Sequence, residues 1–197
     1  MKRLSWQILL GASLLALSVL FYFLHYLIFK DSHHIFLQDW WEVYGYELSV
    51  ALTDTFGSKF FFDNFTPEQA ENWKGLRQDS GDPFEFGYQA IQFYKNLGID
   101  HKEKVVVFSD GLTFPKMIKL WEEFHNDFKV LFGIGTNLTN DVGLEALSIV
   151  IKLFAINGLG TVKLSDNVQK AMGSKYNIQR FKQIFEHTHA FSQKTIY

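Results

Sequence analysis

Residues 76–83 place the side chains of Arg77, Asp79, Ser80 and Asp82 in one short segment, directly before a stretch with helical apolar spacing. Carboxylates accept hydrogen bonds from sugar hydroxyls, and a guanidinium can hold an anionic group through two parallel bonds. The same residue types also cap helices and form turns. An N-cap or a structural ion pair is therefore an open alternative for each of these side chains.

Three further turns carry similar chemistry, and each follows an apolar stretch with strand character. These turns are residues 53–57, residues 109–111 with Asp110 and Gly111, and residues 133–139 with Gly135, Thr136 and Asn137. Glycines in the last turn let backbone N–H groups approach a phosphate, although a tight turn without a ligand is the open alternative. Asp79, Asp82 and Asp110 offer oxygen atoms to ribose hydroxyls or to Mg²⁺. Together the turns suit a phosphorylated sugar.

Strand–loop–helix units that recur roughly every 25 to 30 residues would position these turns. The predicted strands are residues 47–52, 75–78, 104–108, 129–132, 149–154 and 161–164. For residues 149–154 a helix is the open alternative. Helices are predicted over residues 57–62, after an N-cap at Thr66, from Pro83 to Gly98 with Asp82 as cap, after Gly111, from about Val142, and around residues 178–185. Parallel units of this kind indicate an α/β barrel or a doubly wound sheet, with the polar turns at the carboxyl ends of the strands.

One predicted helix carries a stripe of large apolar residues at helical spacing. Its members are Phe114, Met117, Ile118, Trp121 and Phe124. Such a stripe usually faces the core of the protein, so we expect these side chains to be buried.

Composition excludes several classes of function. The chain has 197 residues, no cysteine and a formal net charge of -2. Disulfides, a thiolate metal site and a thiol nucleophile are therefore excluded. Because no basic stripe is present, nucleic acid is not an expected partner. Apart from the carboxylates that could bind Mg²⁺ or ribose, no residue is assigned as a metal ligand.

The first segment of the chain is unusually apolar, since residues 4–29 contain no charged side chain. A bilayer core is crossed by about 20 apolar residues in a helix, so this run predicts a transmembrane helix, with a buried core helix as the alternative. Lys2 and Arg3 precede it and place the amino terminus in the cytoplasm. The predicted division is residues 1–30 as membrane helix, 31–46 as junction and 47–197 as the α/β domain.

Five segments of the chain resemble the nicotinate phosphoribosyltransferase family. They are residues 51–56, 77–84, 107–112, 132–139 and 162–166, in the order that the family has them. The resemblance covers about residue 47 to the end and corresponds to the C-terminal part of the family's chain. It implies a partial type II phosphoribosyltransferase α/β barrel, preceded here by a transmembrane helix.

The resemblance also implies an activity and its partners. The family forms nicotinate mononucleotide from nicotinate and 5-phosphoribosyl-1-diphosphate in the salvage route to NAD, releases diphosphate, and couples the reaction to ATP hydrolysis through a phosphohistidine, with Mg²⁺ as a possible further requirement. It is cytoplasmic and homodimeric, whereas the apolar segment would anchor this chain to a membrane.

Roles for individual residues follow from the same resemblance. Arg77 would lie near the nicotinate ring or its carboxylate, and Asp79 would meet the ribose; these two form the expected catalytic pair. The expected substrate-binding residues are Asp82, Asp110, Gly111, Gly135, Thr136 and Asn137. Within this set, Asp110 and Gly111 would meet the sugar phosphate, and Gly135 and Thr136 would hold the 5′-phosphate.

Some parts of the family pattern are not found in this sequence. None of the seven histidines stands in the Gly-Thr-x-x-His context of the phosphorylated histidine, and the family's N-terminal domain and first barrel strands have no counterpart. Two hypotheses follow. The chain is an enzyme, or a piece that works with a partner chain; alternatively it is a catalytically inactive, membrane-anchored fragment that at most binds nucleotide, from a truncated or fused reading frame.

Overall fold

The computed structural model describes residues 29–135, 138, 142–144 and 151–188. The chain divides into two compact units, residues 1–39 and 40–197, and residues 29–39 of the first are helical. Except for Phe29 and Lys30, the predicted membrane helix lies outside the described residues. Among the residues that are described, no helix is both long and apolar enough to cross a membrane.

The second unit contains a parallel sheet, which confirms the predicted α/β class. Its strands are β1 (Val50–Leu52), β2 (Gly75–Gln78), β3 (Val105–Phe108) and β4 (Lys129–Phe132). They lie in the order β1-β2-β3-β4, and every neighbouring pair is parallel. Gln78 is level with Phe108, which is level with Phe132. The polar turns that follow these strands therefore begin at one edge of the sheet.

Helices connect the strands largely as the sequence predicts. They are α1 (Ser58–Asn64), α2 (Pro67–Asn72), α3 (Pro83–Asn96), α4 (Phe114–Phe124) and α5 (Lys175–Ile184), with short 3₁₀ helices at Tyr46–Leu48, His101–Glu103 and Val168–Lys170. Thr66 and Gln69 form a reciprocal capping box at the start of α2. The first predicted strand is shorter than expected, because a 3₁₀ helix occupies its first residues.

The core lies between the sheet and helices α3 and α4. Leu76, Val106 and Phe108 of the strands are fully buried, as are Tyr94 of α3 and Phe124 of α4. The two helices approach closely because one position on α3 is glycine: a Cβ at Gly87 would lie 2.3 Å from Cζ of Phe124. The backbone pairing of β2 with β3 holds their carboxyl ends side by side, and the two helices cover one face of these strands.

The predicted buried stripe of α4 is wrong for three of its five members. Phe114, Ile118 and Trp121 are 61%, 55% and 52% exposed, whereas Leu120 and Phe124 are fully buried. The apolar pattern on this helix is broader than the face that packs on the sheet. Leu120 and Phe124, four residues apart, define that face.

The two last predicted strands are also wrong where the structure describes them. Residues 151–154 have no regular structure, and residues 161–164 contribute only the isolated bridge between Lys163 and Met172. Instead, β5 (Ala155–Ile156) and β6 (Leu159–Gly160) form an antiparallel hairpin. Its two turn residues, Asn157 and Gly158, have φ of 49° and 78°, as an Asn-Gly hairpin turn requires.

An apolar run alone does not distinguish strand from irregular chain. The helix predicted from about Val142 lies almost wholly outside the described residues.

Candidate active site

Arg77 stands at the carboxyl end of β2 with its guanidinium open to solvent. Strand alternation buries Leu76 and Gln78 on one face and turns Arg77 to the other. Its Nε donates to Ser109 Oγ at 3.0 Å, and one terminal nitrogen lies 3.5 Å from Asp79 Oδ1. Because 47% of the side chain remains exposed, the guanidinium can still meet an anionic ligand while its orientation is held.

Asp79 lies between the ends of β2 and β3 and receives contacts from both sides. Ser109 Oγ is 3.2 Å from Asp79 Oδ1 and 2.8 Å from the carbonyl oxygen of Gln78. On the opposite side, Lys163 Nζ lies 3.6 Å from Asp79 Oδ2. The carboxylate is thus oriented by a hydroxyl and two cations, and its pairing with Arg77 matches the structural ion pair that the sequence left open.

Asp54, which follows β1, is fully buried at the base of this edge. Its Oδ2 accepts hydrogen bonds from Ser80 Oγ at 2.7 Å and Ser165 Oγ at 2.9 Å, while Lys163 Nζ lies 3.0 Å from Oδ1. Burial acts to raise the pKa of Asp54, but the charge of Lys163 and the hydrogen bonds outweigh it and hold that pKa below its ordinary value. Asp54 therefore stays ionised and anchors Lys163.

Two lysines reach the site from a segment to which the sequence assigned no side-chain role. Lys163 bridges Asp54 and Asp79, and Lys170 pairs with Asp110 Oδ1 while donating to the carbonyl oxygen of Asp79 at 2.6 Å. Lys163 lies within one of the five segments that resemble the family, two residues before Ser165. Its place in that segment is a sequence signal from which a role in the site could have been predicted. Lys170 has no such local signal, because only the folded chain brings it to Asp110.

The expected substrate-binding residues have different surroundings. Asp82 caps α3, since its Oδ1 accepts from the backbone N–H of Phe84 at 2.8 Å and of Glu85 at 3.0 Å. Gly111 has a φ of 53°, which favours glycine. Among the described residues, and leaving aside its two chain neighbours, no heavy atom lies within 4 Å of the place that a Cβ on Gly135 would take. Thr136 and Asn137 lie outside the described residues.

A cleft of about 860 Å³ lies beside this edge. Its lining includes Ser80, Asp82 and Asp166 but not Arg77, Asp79 or Asp110. Asp166 accepts hydrogen bonds from the backbone N–H and hydroxyl of Ser58, at 3.0 and 2.7 Å. Burial raises the pKa of Asp166 despite these bonds. The cleft therefore lies next to the site, and Arg77 is not part of its lining.

Comparison with known proteins decides the family. The model of the nicotinate phosphoribosyltransferase (NAPRTase) family matches residues 24–189. The chain belongs to the nicotinate phosphoribosyltransferase family. The match begins inside the predicted membrane segment and earlier than residue 47, where the resemblance was expected to start. A second model, the N-terminal helical domain of MJ1433, matches residues 2–38.

Individual relatives agree with this assignment. The nicotinate phosphoribosyltransferase of Methanococcoides burtonii is 44% identical over 160 residues, which are 79% of this chain and 40% of the relative. That of Psychromonas ingrahamii is 45% identical over 143 residues, 72% of this chain and 35% of the relative. The crystal structure of nicotinate phosphoribosyltransferase from Vibrio cholerae matches this chain with a TM-score of 0.76 and 37% sequence identity. The match covers 80% of this chain and 40% of the Vibrio cholerae chain. The chain thus spans about 35 to 40% of the length of these proteins.

Proposed function

We propose that this chain acts in a nicotinate phosphoribosyltransferase, which forms nicotinate mononucleotide and diphosphate from nicotinate and 5-phosphoribosyl-1-diphosphate. The observation that carries the proposal is the meeting of Arg77, Asp79 and Asp110 at one edge of the parallel sheet. A cation that is half exposed, next to two carboxylates held by lysines, offers complementary contacts to an aromatic acid and to sugar hydroxyls. The relatives bear the name of this activity.

The proposed roles distribute the product along that edge. Arg77 binds the carboxylate of nicotinate, and Asp79 accepts hydrogen bonds from the ribose hydroxyls. Asp110 and the adjacent Gly111 lie toward the sugar phosphate, and Asp82 is a further proposed substrate contact at the start of α3. The turn that begins at Gly133 receives the 5′-phosphate, with Gly135, Thr136 and Asn137 as its proposed contacts; backbone N–H groups next to glycine approach phosphate without obstruction.

The strand order supports a barrel over a doubly wound sheet. In a doubly wound sheet the order of strands reverses at a switch point. The four described strands of the parallel sheet instead follow one another in chain order without reversal. We therefore propose that the sheet is part of a type II phosphoribosyltransferase barrel.

ATP enters the proposal as a co-substrate, and Mg²⁺ enters it as a metal ion that the reaction can use. Within the described residues, no cluster of three or more histidine, aspartate or glutamate side chains could hold a metal ion. Asp54, Asp79 and Asp110 each have a lysine within 3.6 Å, so these carboxylates do not fit a direct Mg²⁺ site. We propose that Mg²⁺, where it is used, is carried by the diphosphate group of the substrate. We further propose that two copies of the chain form a homodimer.

Replacing Arg77 by alanine is expected to weaken nicotinate binding about 10- to 100-fold, because a hydrogen bond to a charged group contributes about 1.5–3 kcal/mol. Binding of ribose 5-phosphate should change much less. Isothermal titration calorimetry on the full chain measures both. Arg180→Ala on α5 is the matched control, since it removes an arginine outside the site and should leave both affinities unchanged.

Two results would count against the proposed function. Equal losses for nicotinate and ribose 5-phosphate in the Arg77→Ala protein would contradict the role of Arg77. If the unsubstituted chain shows no saturable binding of nicotinate mononucleotide, the alternative of an inactive fragment replaces the enzyme proposal.

For the N-terminal segment, the transmembrane helix over residues 4–29 stays a prediction, and the match to a helical domain over residues 2–38 offers a different interpretation. Carbonate extraction of membranes from cells that make the full chain decides between them. A spanning helix keeps the chain in the membrane pellet, whereas a helical domain releases it. A chain beginning at residue 40, the start of the second compact unit, is the control and should be released in either case.

A further inference from the structure

The segment from Lys163 to Met172 forms a loop closed on itself. Lys163 and Met172 exchange both backbone hydrogen bonds, at 3.0 and 2.9 Å. The loop is also fixed to the sheet edge, because the N–H of Leu164 donates to the carbonyl oxygen of Thr55 at 2.9 Å. This anchoring gives the loop a defined position above the ends of the strands.

Lys170 lies two residues before Met172, which closes this loop, and its ammonium group contacts residues of the site. The side chain of Asn167 accepts from the N–H of Gln169 at 3.1 Å and so caps the 3₁₀ helix that ends at Lys170. Lys170 Nζ then makes two contacts at once, with Asp110 Oδ1 and with the carbonyl oxygen of Asp79. One ammonium thus joins the residues that follow β2 to those that follow β3.

The pair that Lys170 forms with Asp110 is more shielded than an ordinary surface pair. The two side chains are 13% and 16% exposed, compared with 57% and 72% for the surface pair of Lys129 and Glu103. A second lysine near Asp110, Lys116, contacts only its carbonyl oxygen, at 3.4 Å. Within the part of the chain that the structure describes, Lys170 is the cation that contacts the carboxylate of Asp110.

We propose that Lys170 is a positioning residue, which acts through Asp110 and through the backbone of Asp79 to hold both at the ligand-binding edge. Without the ammonium, the Asp110 carboxylate loses the partner that orients it. The residues that follow β2 and β3 also lose the side chain that contacts both of them. The inference rests on the proposed function, since it assigns Asp110 and Asp79 to the ligand. It adds a residue from a distant loop to the machinery of that site.

The first test measures affinity in a double-mutant cycle. Lys170→Met keeps the length of the side chain and removes its charge, and it should weaken binding of nicotinate mononucleotide by about tenfold, within the range of coupling energies for contacting groups. Lys170→Arg should recover most of that loss. In an Asp110→Asn protein, adding Lys170→Met should change affinity much less than in the unsubstituted protein. Lys129→Met, far from the edge, is the control and should leave affinity unchanged.

The second test needs no ligand and therefore separates this inference from the proposed function. Amide hydrogen exchange followed by mass spectrometry should be faster in peptides containing residues 79–82 and 110–113 of the Lys170→Met protein, and unchanged around His101. Unchanged exchange at both turns would overturn the positioning role whether or not nucleotide binds. An equal loss of affinity from Lys170→Met with and without Asp110→Asn would overturn the role that the proposal gives to Asp110, because Lys170 would then act without the Asp110 carboxylate.

Discussion

Replacing Lys163 by methionine is expected to lower the free energy of unfolding by about 3–5 kcal/mol at neutral pH, as when one partner of a buried ion pair is removed. Asp54 is fully buried, and Lys163 Nζ is 3.0 Å from its Oδ1. The hydroxyls of Ser80 and Ser165 would remain, but both bond the other oxygen, Oδ2. The variant therefore keeps a buried carboxylate without its cation. Urea unfolding followed by circular dichroism measures the loss.

The pH dependence of this loss has a definite sign. In the unsubstituted protein the pKa of Asp54 is lowered, so its contribution to stability is present above the unfolded pKa of about 3.9 and is lost as the pH falls through the folded pKa. Without Lys163, burial acts against fewer opposing contacts and moves the folded pKa of Asp54 upward. The variant's deficit should therefore be largest at neutral pH and should shrink as the pH approaches about 4.

The matched control is the pair of proteins Asp54→Asn and Asp54→Asn with Lys163→Met. With asparagine at position 54 there is no buried charge that could lose its partner. The lysine substitution should therefore lower the free energy of unfolding much less than it does beside Asp54. A deficit that stays constant with pH, or that is equal in both backgrounds, would show that Lys163 contributes through packing of its alkyl chain instead.

Replacing Gly75 by alanine is expected to abolish cooperative folding or to destabilise the protein by more than about 4 kcal/mol. An alanine Cβ at this position would lie 1.9 Å from the carbonyl oxygen and 2.9 Å from Cα of Val105. These are backbone atoms of the neighbouring strand, and β3 is held between β2 and β4 by its own register. The strand cannot retreat without loss of pairing, so the clash has no inexpensive relief.

Thermal unfolding by circular dichroism, together with the yield of soluble protein, checks this expectation. Gly135→Ala is the matched control, since among the described residues beyond its chain neighbours no heavy atom lies within 4 Å of the Cβ it would add. That protein should unfold at the unsubstituted temperature and lose affinity for nicotinate mononucleotide, because the new methyl group lies in the proposed phosphate turn. An unchanged unfolding temperature for Gly75→Ala would contradict the close approach of β2 and β3.

Local patterns in the sequence determined much of the frame. The strand Gly75–Gln78, the N-cap at Thr66 and the helix that starts at Pro83 behind Asp82 all occur where they were predicted. Each depends on neighbours within a few residues, through strand alternation or hydrogen bonds to the first turn of a helix. The placing of Arg77, Asp79 and Asp110 at one edge also followed, because parallel strands with connecting helices bring their carboxyl ends together.

Only the tertiary structure decided which partners these residues have. Lys163 follows its partner Asp54 by 109 residues, and Lys170 follows its partner Asp110 by 60 residues. No local sequence pattern links the members of either pair. Likewise, the apolar residues of α4 do not reveal that Phe114 and Trp121 face outward, since only the position of the sheet selects Leu120 and Phe124 for the core. Periodicity reports the faces that a helix has, whereas burial and charge pairing depend on which distant groups pack against them.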